Sequence, residues 1–451
     1  MSSLNQTTID DIVKECLETY RKLPKTGKPV ENEWTVLSCV IQYDRNRNFY
    51  KVIALGTGSK CIGASKMSPN GNLLNDSHAE IVARRGFLLY LYDNIEQCLQ
   101  NKDSIFVIKD SLCRLKPNID FVFYSSQLPC GDASIIPKEE TLYDQVGDVV
   151  CSIKRSADED KDDDYICKKS KIDDIYRTGA KCLENSEQDP KLPGKEYHLL
   201  GQVRTKPGRG DRTLSVSCSD KIARWIHTGI QGSLIDMFLL EPIYIKHFIF
   251  GAKVPYCEDS LKRAFFTRNM TDVSKLDSVP CFYQSTLPFA HIRSKEAKKP
   301  SPSSIIWINN GIFEVAVQGK KLGVTKKKEN EPGNYLSICK HNLFKNFYSI
   351  LNKNEEWKQR VCGSDQLENI QYNDMKRKSK RYIHHWNEVK ESIFKIWTRK
   401  PDIFTFKILL CSNFKDIEEL KFVPTFHQTC ISSLHTDKGF TKSIIKVIRS
   451  S

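Results

Sequence analysis

A histidine and a glutamate two positions apart, His78 and Glu80, are the residues of this chain best suited to chemistry. The pair Pro129 and Cys130 follows, with the cysteine 52 positions after the histidine, and a further cysteine, Cys218, lies in the sequence SCSD. One histidine and two cysteine thiolates can bind a zinc ion and leave its fourth position open for water. A nearby glutamate can then move protons to and from that water. The pattern H-x-E followed by P-C predicts a zinc-dependent nucleobase deaminase.

Each part of this pattern also has a purely structural explanation. Ser77 and Glu80 fit a capping box, S-x-x-E, in which Glu80 only caps a helix. An isolated cysteine is most often a small buried apolar residue. The chain also departs from the common P-C-x-x-C form, because Ala133 stands where the second cysteine would be. Since the chain has sixteen cysteines, spacing alone leaves Cys218 as one candidate among several for the third ligand.

The elements that must position these residues follow from hydrophobic periodicity. We predict an amphipathic helix through residues 9–20 capped by Thr7 or Thr8, a hairpin of strands 35–43 and 50–55, a helix over about 77–92, and a buried strand at 121–124. Further on, we expect helices at 221–230 and 233–240, a second hairpin of 305–308 and 313–317, and a helical, basic and aromatic region over 342–396. A strand that ends before Cys130 and a helix that begins near His78 predict a metal site on an α/β sheet.

Composition limits the partners and the compartment. The chain has 451 residues and a net charge of +14, which favours a polyanionic partner such as nucleic acid, although a merely basic soluble protein would look similar. No secretory signal and no apolar run of membrane-spanning length is visible, so we expect reduced cysteines and a cytoplasmic or nuclear protein that contacts no membrane. We expect one domain over residues 1–451, in which about 139–195 form a disordered surface insertion.

Five longer strings carry a resemblance to the adenosine deaminases that act on RNA (the editase family), and within it to the branch that acts on tRNA. The strings are residues 75–80 (NDSHAE), 128–134 (LPCGDAS), 204–210 (RTKPGRG), 217–225 (SCSDKIARW) and 229–233 (GIQGS). The resemblance is strongest over about 56–242 and continues more weakly to about 400. It implies an α/β (α+β) fold with a cytidine-deaminase-like core. In that core a central mixed sheet is flanked by helices, and a helical and β extension follows toward the C-terminus.

The resemblance also implies ligands and roles. It makes Cys218 the expected third zinc ligand beside His78 and Cys130, with Glu80 as the proton shuttle. It further implies one inositol hexakisphosphate buried behind the zinc site. The residues that match the family's contacts to that cofactor are Arg84, Arg85, Lys221, Arg224, Lys340, Tyr372, Lys376, Tyr382, Trp397 and Lys400. One matching position carries Trp386, where relatives that act on double-stranded RNA have a lysine, so the set of contacts differs in detail.

The substrate implied by the resemblance is the adenosine at position 37, 3′ of the anticodon, in eukaryotic tRNA-Ala, which would become inosine. Lys60, Lys206, Arg209 and Arg212 are the candidates for contacts to the anticodon stem-loop, because phosphate contacts supply affinity and position. We expect no DNA partner, and the sequence names no protein partner. Two alternatives stay open: a non-catalytic RNA-binding subunit with the same fold, and a cytosine-directed deaminase.

Overall fold

The computed structural model describes residues 3–138, 174–208, 211–268 and 278–408. The elements in these ranges belong to one compact unit that ends at Ile408. Arg209 and residues 139–173 of the predicted insertion lie outside the described residues. Residues 174–195, which were expected to be disordered as well, instead contain two short strands that pair with neighbouring segments.

Strands and helices alternate through most of the chain. The strands are β1 (Glu33–Trp34), β2 (Leu37–Asp44), β3 (Phe49–Thr57), β4 (Ser59–Cys61), β5 (Asp76–His78), β6 (Phe106–Lys109), β7 (Leu112–Leu115), β8 (Ile119–Ser125), β9 (Ile136–Pro137), β10 (Ile175–Tyr176), β11 (Lys181–Cys182), β12 (Arg204–Thr205), β13 (His247–Phe250), β14 (Cys281–Gln284), β15 (Lys299–Pro300), β16 (Ser303–Ile308), β17 (Ile312–Val317) and β18 (Lys320–Lys321). The α-helices are α1 (Gln6–Lys22), α2 (Ala79–Leu99), α3 (Cys218–Thr228), α4 (Gly232–Asp236), α5 (Glu258–Lys262), α6 (Lys340–Asn352), α7 (Glu355–Cys362), α8 (Tyr372–Arg377) and α9 (Lys380–Val389).

Eight strands form one mixed sheet in the order β14-β13-β8-β2-β3-β16-β17-β18. Strand β13 is parallel to both β8 and β14, whereas the other neighbours in the sheet are antiparallel. Helix α1 covers one face and α2 the other, so the expected α/β fold with a mixed central sheet flanked by helices is confirmed. None of the helices in the described ranges combines the length and the apolar character that crossing a bilayer requires.

The two faces of the sheet bury different side chains because successive residues of a strand point to opposite sides. In β2, Cys39 and Ile41 lie in the apolar cluster that includes α1, while Val40 lies in the cluster that includes α2. The same alternation in β8 directs Phe123 toward α2. Both faces are therefore apolar, and burial of each such side chain contributes about 1.5–3 kcal/mol.

The predicted elements agree with the structure apart from their ends. The first helix is capped by Asn5, whose side chain accepts a hydrogen bond from the Thr8 backbone N–H, rather than by Thr7 or Thr8 themselves. The capping-box explanation of Glu80 is wrong, because the N-terminal cap of α2 is His78 and no side chain caps that end. Ser77 belongs instead to strand β5. Glu80 is therefore free of a capping role.

Helix α2 begins in direct contact with the end of strand β3. A Cβ atom added at Gly56 would lie 2.6 Å from both the Ala79 carbonyl oxygen and the Ala83 backbone nitrogen. The Ala79 N–H also donates to the Gly58 carbonyl oxygen at 3.0 Å. Glycine at position 56 thus allows the first turn of α2, which follows His78, to pack against the sheet.

We expect Gly56→Ala to lower the free energy of unfolding by about 1–3 kcal/mol, because the added methyl group meets backbone atoms that cannot move aside. Urea unfolding followed by circular dichroism measures the change. Gly333→Ala is the matched control, since a Cβ atom there has no neighbour within 4 Å, and its effect should stay within about 0.5 kcal/mol. Equal stability of the two variants would contradict the proposed close contact.

Candidate metal centre and cation-lined cavity

The three predicted metal ligands converge from three separate elements. His78 is the last residue of β5, Cys130 lies in the loop after β8, and Cys218 is the first residue of α3, whose N-terminal cap is Ser217. The Nδ1 atom of His78 is 3.9 Å from the Cys130 sulfur and 3.6 Å from the Cys218 sulfur. All three ligand atoms lie within 4.8 Å of one another. The spacing of sequence motifs had left Cys218 as one of several candidates, and the fold brings this cysteine to the other two ligands.

The distances and the atom types suit zinc. Bond lengths of about 2.0–2.1 Å to nitrogen and about 2.3 Å to sulfur in tetrahedral geometry separate ligand atoms by roughly 3.5–3.8 Å. The two distances from His78 Nδ1 lie close to that range. The Cys218 backbone N–H also points to the Cys130 sulfur at 3.3 Å, as expected for a thiolate.

Each cysteine ligand is followed two positions later by a buried aspartate that an arginine holds. Asp132 accepts from Arg263 Nε at 3.0 Å, and Asp220 accepts from Arg268 Nη1 at 2.5 Å. Both arginines come from one turn that continues helix α5, so a single segment fixes both cysteine loops. Sequence reasoning missed these two pairs, although the repeated spacing C-x-D could have indicated them.

The two cysteine loops also bond to each other directly. Ser219 donates from its hydroxyl to the Cys130 carbonyl oxygen at 2.9 Å, and its backbone N–H donates to the same oxygen at 3.0 Å. Between them, Gly131 has a φ of 106°, and a Cβ atom there would lie 2.2 Å from the Ser217 hydroxyl oxygen. Only glycine fits this backbone conformation and this space.

Glu80 lies in the first turn of α2 and is 3% exposed. Burial raises the pKa of its carboxyl group, while the charges of His78 and Lys206 act in the opposite direction. A buried carboxyl group two residues from a metal ligand can accept and return a proton, which is the chemistry that the sequence predicts for it. The carboxyl group has no alternative role as a helix cap.

Lys206 does not lie where it was predicted. Its side chain is 1% exposed, and its ammonium group lies 2.7 Å from an Asp76 carboxylate oxygen and 3.0 Å from the Cys218 sulfur. A buried ammonium group cannot reach the RNA backbone, so the prediction of a tRNA contact for Lys206 is wrong. Its position instead stabilises negative charge on the sulfur of Cys218. Although burial alone lowers the pKa of Lys206, Asp76 and the two cysteines raise it well above its usual value.

Asp76 joins the metal centre to a second group of cations. It accepts hydrogen bonds from both Lys206 and Lys221 and, through Oδ1, from the backbone N–H of His78 at 3.1 Å. Burial alone would raise the pKa of Asp76, but the ammonium groups of the two lysines lower it well below its usual range. The carboxylate is thus a charged link between the Cys218 ligand and Lys221.

Lys221 lines a cavity of about 550 Å³ behind the metal centre. All ten residues that the family resemblance marks for a polyphosphate line this one cavity. They are Arg84, Arg85, Lys221, Arg224, Lys340, Tyr372, Lys376, Tyr382, Trp397 and Lys400. They come from α2, α3, α6, α8, α9 and the segment after α9, so residues far apart in the chain meet here.

The cavity is strongly electropositive because its cations outnumber its anions. Burial, with Lys400 and Lys376 as further causes, lowers the pKa of Lys340 to about 6. Burial and Arg224 likewise lower the pKa of Lys376 to about 8. Asp76 is the single carboxylate among the lining residues in the described part of the chain, and it is already paired with Lys206 and Lys221. A group of buried cations of this kind would be stabilised by a multiply charged anion.

Aromatic rings line the part of the cavity around Arg224. Its guanidinium centre lies 3.8 Å from the Trp386 ring centroid and 5.9 Å from that of Trp397. The Arg224 Nε atom is buried and has no hydrogen-bond partner among the described residues. Trp386 therefore holds the arginine by stacking and contributes no charge of its own.

Of the remaining predicted substrate contacts, Lys60 is half-buried, Arg212 is exposed, and Arg209 lies outside the described residues. Lys60 belongs to β4, where it is paired with Ser77, the residue before His78. The Arg212 side chain is 54% exposed and lies 2.6 Å from Glu184, and its backbone carbonyl accepts from the Ala64 N–H at 2.8 Å.

We expect Asp76→Asn to lower the free energy of unfolding by about 3–5 kcal/mol, because it leaves two buried ammonium groups without their shared partner. The midpoint of urea unfolding measures the effect. Asp402→Asn removes the same charge from a surface pair with Arg399, in which both side chains are 82% exposed, and should cost less than about 1 kcal/mol. An Asp76→Asn protein as stable as this control would show that the carboxylate does not hold the two lysines.

Comparisons with known proteins agree with this geometry. The family model described as the adenosine-deaminase (editase) domain matches residues 54–401. The chain is 36% identical to the tRNA-specific adenosine deaminase 1 of Drosophila melanogaster over 419 residues, which cover 89% of this chain and 97% of that protein. It is 32% identical to the human protein of the same name over 506 residues, or 89% of this chain and 100% of that protein.

A more distant relative covers part of the chain. The double-stranded RNA-specific editase Adar of Drosophila melanogaster is 33% identical over 267 residues, which are 55% of this chain and 34% of that protein. Because the family model matches most of the chain and two relatives align over nearly their whole length, the chain belongs to the adenosine-deaminase (editase) family of enzymes.

Proposed function

We propose that this chain catalyses the zinc-dependent hydrolytic deamination of adenosine to inosine in tRNA, at position 37 of tRNA-Ala. The observation that carries the proposal is the cluster of His78, Cys130 and Cys218, with Glu80 buried in the adjoining helical turn. The names of the relatives support tRNA as the substrate. The cytosol and the nucleus are the compartments that suit this role.

The donor set of one nitrogen and two sulfurs fits zinc better than magnesium or calcium, which prefer oxygen ligands. Zinc with three protein ligands and one open position supplies a Lewis acid that makes water nucleophilic near neutral pH. Lys206 stabilises the thiolate form of Cys218 through its contact at 3.0 Å. Three protein ligands thus suit a catalytic zinc rather than a closed structural site.

Glu80 provides the proton transfers that the reaction needs. Water adds to C6 of adenine and ammonia leaves, so adenosine and water become inosine and ammonia. Glu80 takes one proton from the attacking water and delivers it to the ring nitrogen N1. It takes the second proton from the added hydroxyl group and gives it to the amino group, which departs as ammonia while a carbonyl forms. The buried position of Glu80 favours both steps because it excludes competing solvent.

We further propose that one inositol hexakisphosphate fills the cavity. Eight arginine and lysine side chains line it, and burial lowers the pKa values of five of them. Six phosphate groups on a compact ring would pair with these cations through charge-assisted hydrogen bonds. The bound anion would also stabilise Lys221 and, through Asp76, the surroundings of Cys218.

A single-stranded loop suits such an enzyme, because the target base can be flipped out without breaking base pairs. We propose that Lys60, Arg209 and Arg212 contact the phosphates of the anticodon stem-loop. Lys60 lies on the strand that pairs with β5, and the backbone of Arg212 bonds to the loop that follows Lys60. The exposed side chain of Arg212 is available for such a contact.

Glu80→Gln should reduce inosine formation in tRNA-Ala by about 10²–10⁴-fold, because it removes the group that moves protons. The bound zinc should stay unchanged, since Glu80 is not one of the three ligands.

Cys218→Ser should lose zinc and activity together, whereas Cys281→Ser, which changes a cysteine of β14, should lose neither. Zinc is measured by mass spectrometry of the metal, and products by nucleoside analysis. Uridine in place of inosine would indicate a cytosine deaminase, and tRNA binding without any product would indicate a non-catalytic subunit.

Denatured, dialysed protein should release inositol hexakisphosphate in an amount equimolar with the chain, as measured by phosphorus nuclear magnetic resonance of the extract. Lys376→Met should reduce the amount released or the yield of folded protein, because it removes a cavity cation. Lys353→Met, at a surface pair with Glu96, should change neither quantity. Active enzyme that releases no phosphorylated inositol would refute the assignment.

A further inference from the structure

Two cation–aromatic pairs lie beside the loop of the Cys130 ligand. The Arg177 guanidinium centre is 4.0 Å from the centroid of the Tyr197 ring, and the Lys138 ammonium group is 5.5 Å from that of Tyr176. Strands β9 and β10, in which Ile136 is opposite Tyr176, bring Lys138 close to Tyr176, and Arg177 directly follows β10. Neither pair has a role in the metal centre or in the cation-lined cavity.

The first pair is close to the metal centre. The Gly131 backbone N–H, next to Cys130, donates to the hydroxyl oxygen of Thr178 at 3.1 Å. Arg177 precedes Thr178, so the Cα atoms of Cys130 and Arg177 are at most roughly 12 Å apart. Stacked nucleotides repeat every 3.4 Å or so along one strand. A nucleotide next to a base bound at the metal centre can therefore reach Arg177.

The Arg177–Tyr197 pair is packed against the protein through Tyr197 and is partly exposed to solvent at Arg177. Tyr197 packs edge-on against His198, at 4.8 Å between ring centroids, and His198 bonds to Asp189 at 2.9 Å. Asp189 is in turn bound through both carboxylate oxygens by the buried Arg204 at 2.6 Å. The side chain of Arg177 is nevertheless 46% exposed. The pair is thus a fixed, partly exposed stack of a guanidinium plane on a phenol ring.

The local charge also suits RNA. Asp174 lies 2.8 Å from Lys138 and 3.5 Å from Arg177, so one carboxylate is shared between two cations. The local excess of positive charge favours a phosphodiester chain. Unpaired bases in RNA loops are commonly bound by stacking on aromatic rings or on arginine planes. Tyrosine and arginine together offer both surfaces.

We propose that the Arg177–Tyr197 pair binds an unpaired nucleobase that flanks the target adenosine, and that it thereby contributes to the choice of RNA loop. This inference rests on the proposed function, because it takes single-stranded RNA as the substrate. An exposed cation–π pair by itself adds little to the stability of a protein. A purely structural role would therefore leave the discrimination between RNA substrates unchanged.

The test compares synthetic anticodon stem-loops of tRNA-Ala. One stem-loop is intact, and in each of the others one nucleotide that flanks the target is abasic. In single-turnover deamination, Tyr197→Leu should raise the half-saturating enzyme concentration by about 5- to 150-fold on intact RNA, since stacking of one base contributes about 1–3 kcal/mol. On RNA that is abasic at the contacted flank, the variant and the native protein should be nearly equal. Tyr197→Phe keeps the ring and should behave like the native protein.

Tyr50→Leu is the matched control, because Tyr50 pairs with Tyr43 where β2 and β3 meet at the end of the sheet away from the metal ligands. Its half-saturating concentration should not change. A loss for Tyr197→Leu that is equal on intact and abasic RNA, or no loss on either, would overturn the proposal. Unchanged zinc content and unfolding midpoint show that the variant is folded.

A direct measure of stacking separates this inference from the proposed function. Tyr197→Trp introduces a fluorophore whose emission should be quenched by an intact loop RNA and not by the abasic RNA, relative to the native protein with its six tryptophans. Quenching without any inosine would refute the deamination and support the stacking surface. Inosine formation without quenching would support the deamination and overturn the stacking surface.

Discussion

Burial of positive charge is the constraint on which this structure depends. Arg84, Arg85, Arg224 and four lysines line one cavity, and the carboxylate that faces them there, Asp76, is already shared by Lys206 and Lys221. Two like charges 4 Å apart repel by about 4 kcal/mol even at an effective dielectric constant of 20. The polyphosphate that we propose for the cavity would offset this repulsion and favour cohesion among these elements. A polyphosphate in the cavity would then be part of the folded core as well as a cofactor.

Helix α2 connects the cations of the cavity with the metal centre. His78 and Glu80 stand at its start, while Arg84 and Arg85 follow about one turn later and face the cavity. One rigid helix thus sets the distance between the metal centre and the cations. Asp76 adds a second connection, because it bonds to the lysine that contacts Cys218 and to the lysine that lines the cavity. A change in the charge of the cavity would therefore displace residues of the metal centre, and a change in the charge of the metal centre would displace residues of the cavity.

Local sequence patterns predicted the elements better than they predicted the contacts between them. The periodicity of α1 and the alternation in β2 are properties of neighbouring residues, so both elements were found and only their ends differed. Spacing also found His78, but it could not select Cys218 among sixteen cysteines, because that choice depends on the fold. The role of Lys206 was mistaken for a related reason. Its motif resembles an exposed basic turn, and its burial results from Asp76, which is 130 positions away in the chain.

The aspartates that follow the two cysteine ligands are held by one segment that comes after both ligands in the chain. Arg263 and Arg268 hold the aspartates that follow Cys130 and Cys218, and both arginines come from one turn downstream. Ion pairs buried in this way are costly to break, so the two loops keep their positions relative to each other. The segment after residue 174 returns to the Cys130 loop through its own bond to Gly131. Residues between the two ligands thus contact both cysteine loops, through Thr178 and Lys206, and contribute to the geometry of the metal site.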